Sequence, residues 1–180
     1  MRKKLNIIHL PFCLLMVIFA VGLTTKNSVG AGTKAIAAFN DWSAHQTGSA
    51  KNKICYMHGE PKKSSGKYKK RGDTYLQVTH RKKNRIKNEV SVTAGYTYKK
   101  NSSVEVEIKG KKFSLYTDSG TAWVSGARKE AELVAAMKAG KVMIVTGLSS
   151  RGTRTKDRYS LSGFTAAYNK ISKSCGVKLD

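Results

Sequence analysis

Cys55 and His58 stand with a spacing that zinc ligands use, and His45 and His80 are the other histidines able to join them. Such a set would make a Lewis-acid centre, yet no carboxylate or histidine cluster completes it. Ser64-Ser65-Gly66-Lys67 matches Ser-x-x-Lys, in which a lysine assists a serine in acyl transfer. The partner motifs of that signature are missing, and lysine is so frequent in this chain that chance supplies the match. Gly59, Gly66 and Gly72 do not carry a strand into a helix with phosphate-loop spacing, so nucleotide binding has no support. Trp42 and Trp123 suit core anchors better than a sugar-stacking platform. No catalytic residue, cofactor, resident metal or small-molecule substrate is expected.

The strongest chemical signal is charge. The chain holds 34 Lys and Arg against 11 Asp and Glu, a formal charge of +23. Between Lys62 and Lys87 eleven cations face one acid, Asp73. Two clusters flank a strand predicted at Thr74 to His80, about 20 Å apart at strand rise. Lys67, Lys69, Lys70 and Arg71 form the first, and Arg81, Lys82, Lys83 and Arg85 the second. These eight are the candidate polyanion-binding residues. The competing reading is solvated loops on a basic protein, because salt screens isolated surface charges beyond about 8 to 10 Å. Tyr68 and Tyr75, near the clusters, could stack on sugars or bases, although aromatics beside strands usually pack. The polar turn Ser149 to Thr153, with Arg151 and Arg154, suits either an anion or ordinary hairpin chemistry.

What those cations meet depends on where the chain goes. Arg2-Lys3-Lys4 lead into an apolar run ending near Leu23, and Val29-Gly30-Ala31 make a small-residue exit, the three parts of an export signal. His9 and Pro11 interrupt the run and argue against the alternative, an uncleaved anchor. Residues 1–31 are thus expected to be a cleaved signal, 32–39 a short N-terminal segment, and 40–180 a single domain. Removing four basic residues leaves 30 Lys and Arg against 11 acids, hence +19. The partners this implies are anionic envelope or host-surface components, such as lipopolysaccharide phosphates and acidic glycans, and not specific genomic nucleic acid. Cys13 falls inside the apolar run, so Cys55 and Cys175 remain as an even pair. In an oxidising compartment they are most simply a disulfide, with two buried free thiols as the alternative.

Period-two alternation must position these residues. Val90, Val92, Ala94, Tyr96 and Tyr98 alternate with Ser91, Thr93, Gly95 and Thr97; Val104, Val106 and Ile108 alternate with Ser103, Glu105 and Glu107. Further strands are predicted at 40–45, 53–57, 74–80, 121–124, 141–146 and 158–161, with a return strand carrying Phe113 and Leu115. The continuous apolar run Val142 to Val145 predicts a strand covered on both faces. Two short helices are predicted, about 127–139 and 163–174, the second with Ser162 as its cap. The fold class is all-β, an immunoglobulin-like antiparallel β-sandwich with two helices.

Asp41-Trp42, Cys55-Tyr56-Met57, Ser149-Ser150-Arg151-Gly152-Thr153 and Tyr159-Ser160-Leu161-Ser162-Gly163-Phe164 ahead of Cys175 follow one another in an order that resembles the invasion associated locus B family. The similarity runs from about Asn40 to Val177. It implies a small exported Gram-negative protein of the periplasm or cell surface, with a β-sandwich fold, a link to host-cell invasion and no defining enzymatic activity. Many members carry a further cysteine shortly after the opening tryptophan, where this chain has Ala44-His45. The expected function is binding of anionic surface components; the alternative is a periplasmic structural role through envelope protein partners, with charge serving solubility.

Overall fold

A computed structural model describes residues 32–178; the expected export signal lies outside the described residues. In chain order the strands are β1 (Lys34–Phe39), β2 (Trp42–Thr47), β3 (Ile54–Gly59), β4 (Lys63–Ser65), β5 (Tyr75–Arg81), β6 (Ile86–Thr93), β7 (Ser103–Ile108), β8 (Lys111–Asp118) and β9 (Thr121–Trp123). Helix α1 (Ala127–Ala139), β10 (Val142–Leu148), β11 (Arg154–Ser160) and α2 (Phe164–Cys175) follow. The strands join in the order β1-β2-β3-β5-β6-β9-β8-β7-β10-β11-β4, and every pairing is antiparallel.

This is the antiparallel β-sandwich with two helices that the alternation predicts, and its two halves stay joined through the three-residue strand β9. The far ends of the ladder also approach each other. Trp42 Nε1 donates to the Ser160 carbonyl (3.0 Å) and the Asp41 N–H to the Ser162 carbonyl (3.3 Å). Inward side chains of one half, among them Met57, Leu76, Val78, Val90 and Val92, share a core with Val104, Val106, Leu115, Met143 and Val145 of the other. Their burial supplies the main driving force, since each large aliphatic side chain removed from water contributes about 1.5–3 kcal/mol.

Helix α2 covers the inner face of β1, β2, β3 and β5. Phe164, Ala167, Tyr168, Ile171 and Cys175 are its buried stripe, spaced for one helix face. Phe164 meets Trp42 edge to face, centroids 5.0 Å apart, and Cys175 bonds to Cys55 with 5.9 Å between Cα atoms. The expected disulfide is present.

His80 lies under the same helix, directly across from Cys55. The Asn88 N–H donates to its Nδ1 (3.2 Å), so Nε2 carries the proton and faces Ser172 Oγ at 3.0 Å. Burial, with Lys87 and Lys138 nearby, pushes its pKa down from 6.5 to about 4. Between those values the unfolded chain holds a proton that the folded chain does not, so stability rises with pH across the window. The loss is complete below about pH 4. We expect it to amount to about 3 kcal/mol between pH 7 and 4, read from urea midpoints. His80→Gln should flatten that part of the profile; parallel profiles for the two proteins would contradict the assignment.

Several elements differ from expectation for identifiable reasons. The segment 32–39 holds a strand, β1, whose small residues and irregular pairing near Ala37 hide the alternation. The predicted strand through Tyr98 stops at Thr93, because Gly95, at φ 70°, turns the chain; Tyr98 keeps only a bridge to Ser149. The run Val142 to Val145 is not covered on both faces: Met143 and Val145 are buried, while Val142 and Ile144 are half-exposed. Ile144 lies between Glu107 and Arg158 in the ladder, a charged outer surface. Trp42 is a core anchor, but Trp123 sits half-buried opposite Tyr116 on the outer face, since Ala122 takes the inward position of β9. Gly163 replaces Ser162 as the cap of α2; a Cβ there would lie 1.9 Å from the Phe39 carbonyl oxygen.

Candidate functional site

Arg71 organises the first basic cluster by being unavailable to it. Its guanidinium grips Asp157 of β11 through both carboxylate oxygens (2.6 and 2.7 Å), and its Nε donates to the Ala94 carbonyl (2.6 Å). The side chains are only 6% and 3% exposed, which makes this a buried ion pair. Burial opposes the charge on Arg71, but the hydrogen bonds and attraction from Asp157 outweigh it and raise its pKa. The rings of Tyr68 and Tyr96 lie 5.6 and 5.1 Å from the guanidinium carbon. Arg71 therefore pins the irregular segment 66–74 to the sandwich instead of presenting charge to a ligand.

The pinned segment runs beside the β10–β11 turn. Ser149 and Thr153 close that turn, with the Ser149 N–H donating to the Thr153 carbonyl (2.9 Å) and the Thr153 N–H to Ser149 Oγ (3.0 Å). Thr153 Oγ1 then donates to the Lys67 carbonyl (3.3 Å), which ties turn to loop. Between them lies a cleft of about 650 Å³. Lys67, Lys69, Lys70 and Arg151 line it as exposed cations, no lining residue is acidic, and a shallow recess continues it to Arg154. Thr97, Ser149 and Ser150 add hydroxyls. Gly72 and Gly95 also line it, and the Gly72 N–H donates to the Gly95 carbonyl (2.9 Å); a Cβ on Gly95 would come within 2.2 Å of the Gly72 oxygen.

The second cluster is not part of this cleft. Lys82, Lys83 and Arg85 occupy the β5–β6 turn at the far end of β5, and Arg81 pairs with Glu89 at 2.8 Å. Of the eight predicted polyanion ligands, the structure brings Lys67, Lys69 and Lys70 together, commits Arg71 and Arg81 to acids, and leaves three on a separate turn. Arg151 and Arg154 join the first group. Two basic segments distant in sequence gave no signal of meeting except their shared composition.

Among the described histidines, His45 and His58 are neighbours on the outer face of β2 and β3, and His80 lies apart from them. His45 stacks on Tyr56 (5.0 Å) and His58 tilts against Tyr75 (4.8 Å) on the outer face, while His80 is internal and Cys55 is in the disulfide. Ser64 is exposed in the edge strand β4. Tyr75 is thus a packing residue, whereas Tyr68, 38% exposed, lines the cleft.

Fold and cleft together define a small β-sandwich domain, stapled by one disulfide and presenting a cation-lined recess. The family model for Invasion associated locus B (IalB) protein matches residues 42–172, and the chain belongs to that family. No curated protein and no solved structure matches it. The matched span includes every cleft residue named above.

Proposed function

We propose that this protein is exported to the periplasm or surface of a Gram-negative cell and acts there without catalysis, by binding anionic envelope or host-surface components through the cleft between Lys67 and Arg151. The observation that carries this reading is the meeting of two basic segments around a recess without an acid, after Arg71 has been neutralised by Asp157. Charges so gathered raise local anion concentration more than the same number spread over separate loops. The single disulfide suits an oxidising compartment, and the family membership suits an exported protein.

Retention on heparin and on lipopolysaccharide, followed against salt, tests the reading. Reversing Lys67, Lys69, Lys70 and Arg151 to Glu should remove most of the retention and flatten a log–log salt slope of about −3, as four released counterions would produce. Reversing Lys82, Lys83 and Arg85 should have a smaller effect. Retention unchanged by the first set would reject the cleft, and partners that survive high salt would favour a role through envelope proteins.

A further inference from the structure

We infer that the cleft is a seat for one anionic sugar unit, a mono- or disaccharide bearing phosphate or sulfate, and not only a charged stretch of surface. This rests on the polyanion reading above and adds a ligand class to it.

Shape comes first. A volume of about 650 Å³ lies within the roughly 300–1,000 Å³ of small-molecule sites. The Gly72 and Gly95 backbones in its lining are held in close contact, and Gly95 cannot acquire a side chain: its φ of 70° and the Gly72 oxygen both forbid it. The walls are held as well. Arg71 anchors one wall through a buried bidentate pair, Thr153 ties it to the other, and the Ser150 N–H donates to the Thr97 carbonyl (2.8 Å).

Chemistry narrows the ligand. Lys67, Lys69, Lys70 and Arg151 supply charge for one or two anionic groups, with Arg151 able to take two oxygens at once. The hydroxyls of Thr97 and Ser150 are exposed and make no hydrogen bond to the described protein residues, and Ser149 Oγ, which accepts from the Thr153 N–H, keeps its own proton to donate. Free hydroxyls beside cations match a ligand that is itself both hydroxylated and anionic. A single-stranded nucleic acid would call for several aromatic platforms along a groove, and Tyr68 is the one exposed ring lining this cleft. Sugar phosphates of the envelope and sulfated host glycans share the required chemistry, and the test separates them.

The full mature chain is titrated calorimetrically with a fully sulfated heparin disaccharide and, in parallel, with a bisphosphorylated glucosamine disaccharide free of acyl chains. We expect at least one to saturate at one site per chain, and the tighter of the two names the source. Thr97→Leu and Ser150→Leu, which keep every charge and change exposed positions, should weaken the fragment tenfold or more; an unchanged fragment affinity would overturn the sugar seat. If neither fragment saturates while retention still depends on the cleft lysines, the sugar seat is wrong and the polyanion reading stands. If an oligonucleotide binds the cleft more tightly than both fragments, the ligand class is overturned. If the parent protein binds neither the polymer nor either fragment, both readings fail.

Discussion

Arg71→Met should unfold far more readily than the parent protein, by about 3–5 kcal/mol, the usual loss when one partner of a buried ion pair is removed. For a domain of this size that is a Tm lower by on the order of 10 °C. The physical reason is the residue left behind. Asp157, 3% exposed in its side chain, would keep a carboxylate in the protein interior without the two N–H groups that now solvate it. The Ala94 carbonyl would lose the Nε donor at the same time. Asp157→Leu should cost a similar amount by stranding the guanidinium. The double variant Arg71→Met with Asp157→Leu should recover most of the loss, because apolar replacements of comparable volume often match a buried pair in stability. Urea unfolding of the four proteins gives the coupling directly. Single variants within about 1 kcal/mol of the parent would mean that water reaches the pair. The double variant should still bind the anionic fragments poorly even when folded, since the segment 66–74 would have lost its pin.

Removing the disulfide, by Cys55→Ser with Cys175→Ser, should cost up to about 5 kcal/mol. The bridge spans a sequence separation of 120, and the chain-entropy model assigns a loop of that size about that value, with measured losses commonly smaller. The effect is largely on the unfolded chain, which gains the freedom the bridge denied it. The folded consequence should be local: α2 remains held by Phe164, Tyr168 and Ile171 but loses its C-terminal clamp on β3. Hydrogen exchange is therefore expected to accelerate in the last turn of α2 before it does so in β5 or β6. A urea midpoint unchanged by reduction would show that the bridge constrains nothing.

Much of the fold was legible because one face of each long strand is apolar. Val90 and Val92, or Val104, Val106 and Ile108, announce their strands and their inward faces together. What escaped notice lies at the ladder's two edges, β1 with its small residues and β4, which is Lys63-Ser64-Ser65 and buries nothing. Edge strands of this kind are made by the neighbour they pair with, and local sequence says little about that. The site was half-legible for a similar reason. Charge density marked Lys67 to Arg71 as a basic cluster, but whether a given arginine is a ligand or a strut depends on an acid 86 residues away. The turn at Ser149 looked ambiguous by itself and becomes part of a site only when Thr153 meets Lys67.

The disulfide has one more effect, set by where it encloses the chain. Every residue of the cleft and the recess that continues it, from Gly66 to Thr155, lies between Cys55 and Cys175. The exposed Lys-rich segment is the natural place for a protease to cut. A single cut there opens a ring and releases nothing, so the two walls of the cleft stay on one covalent molecule. The domain would remain assembled with its most vulnerable loop severed.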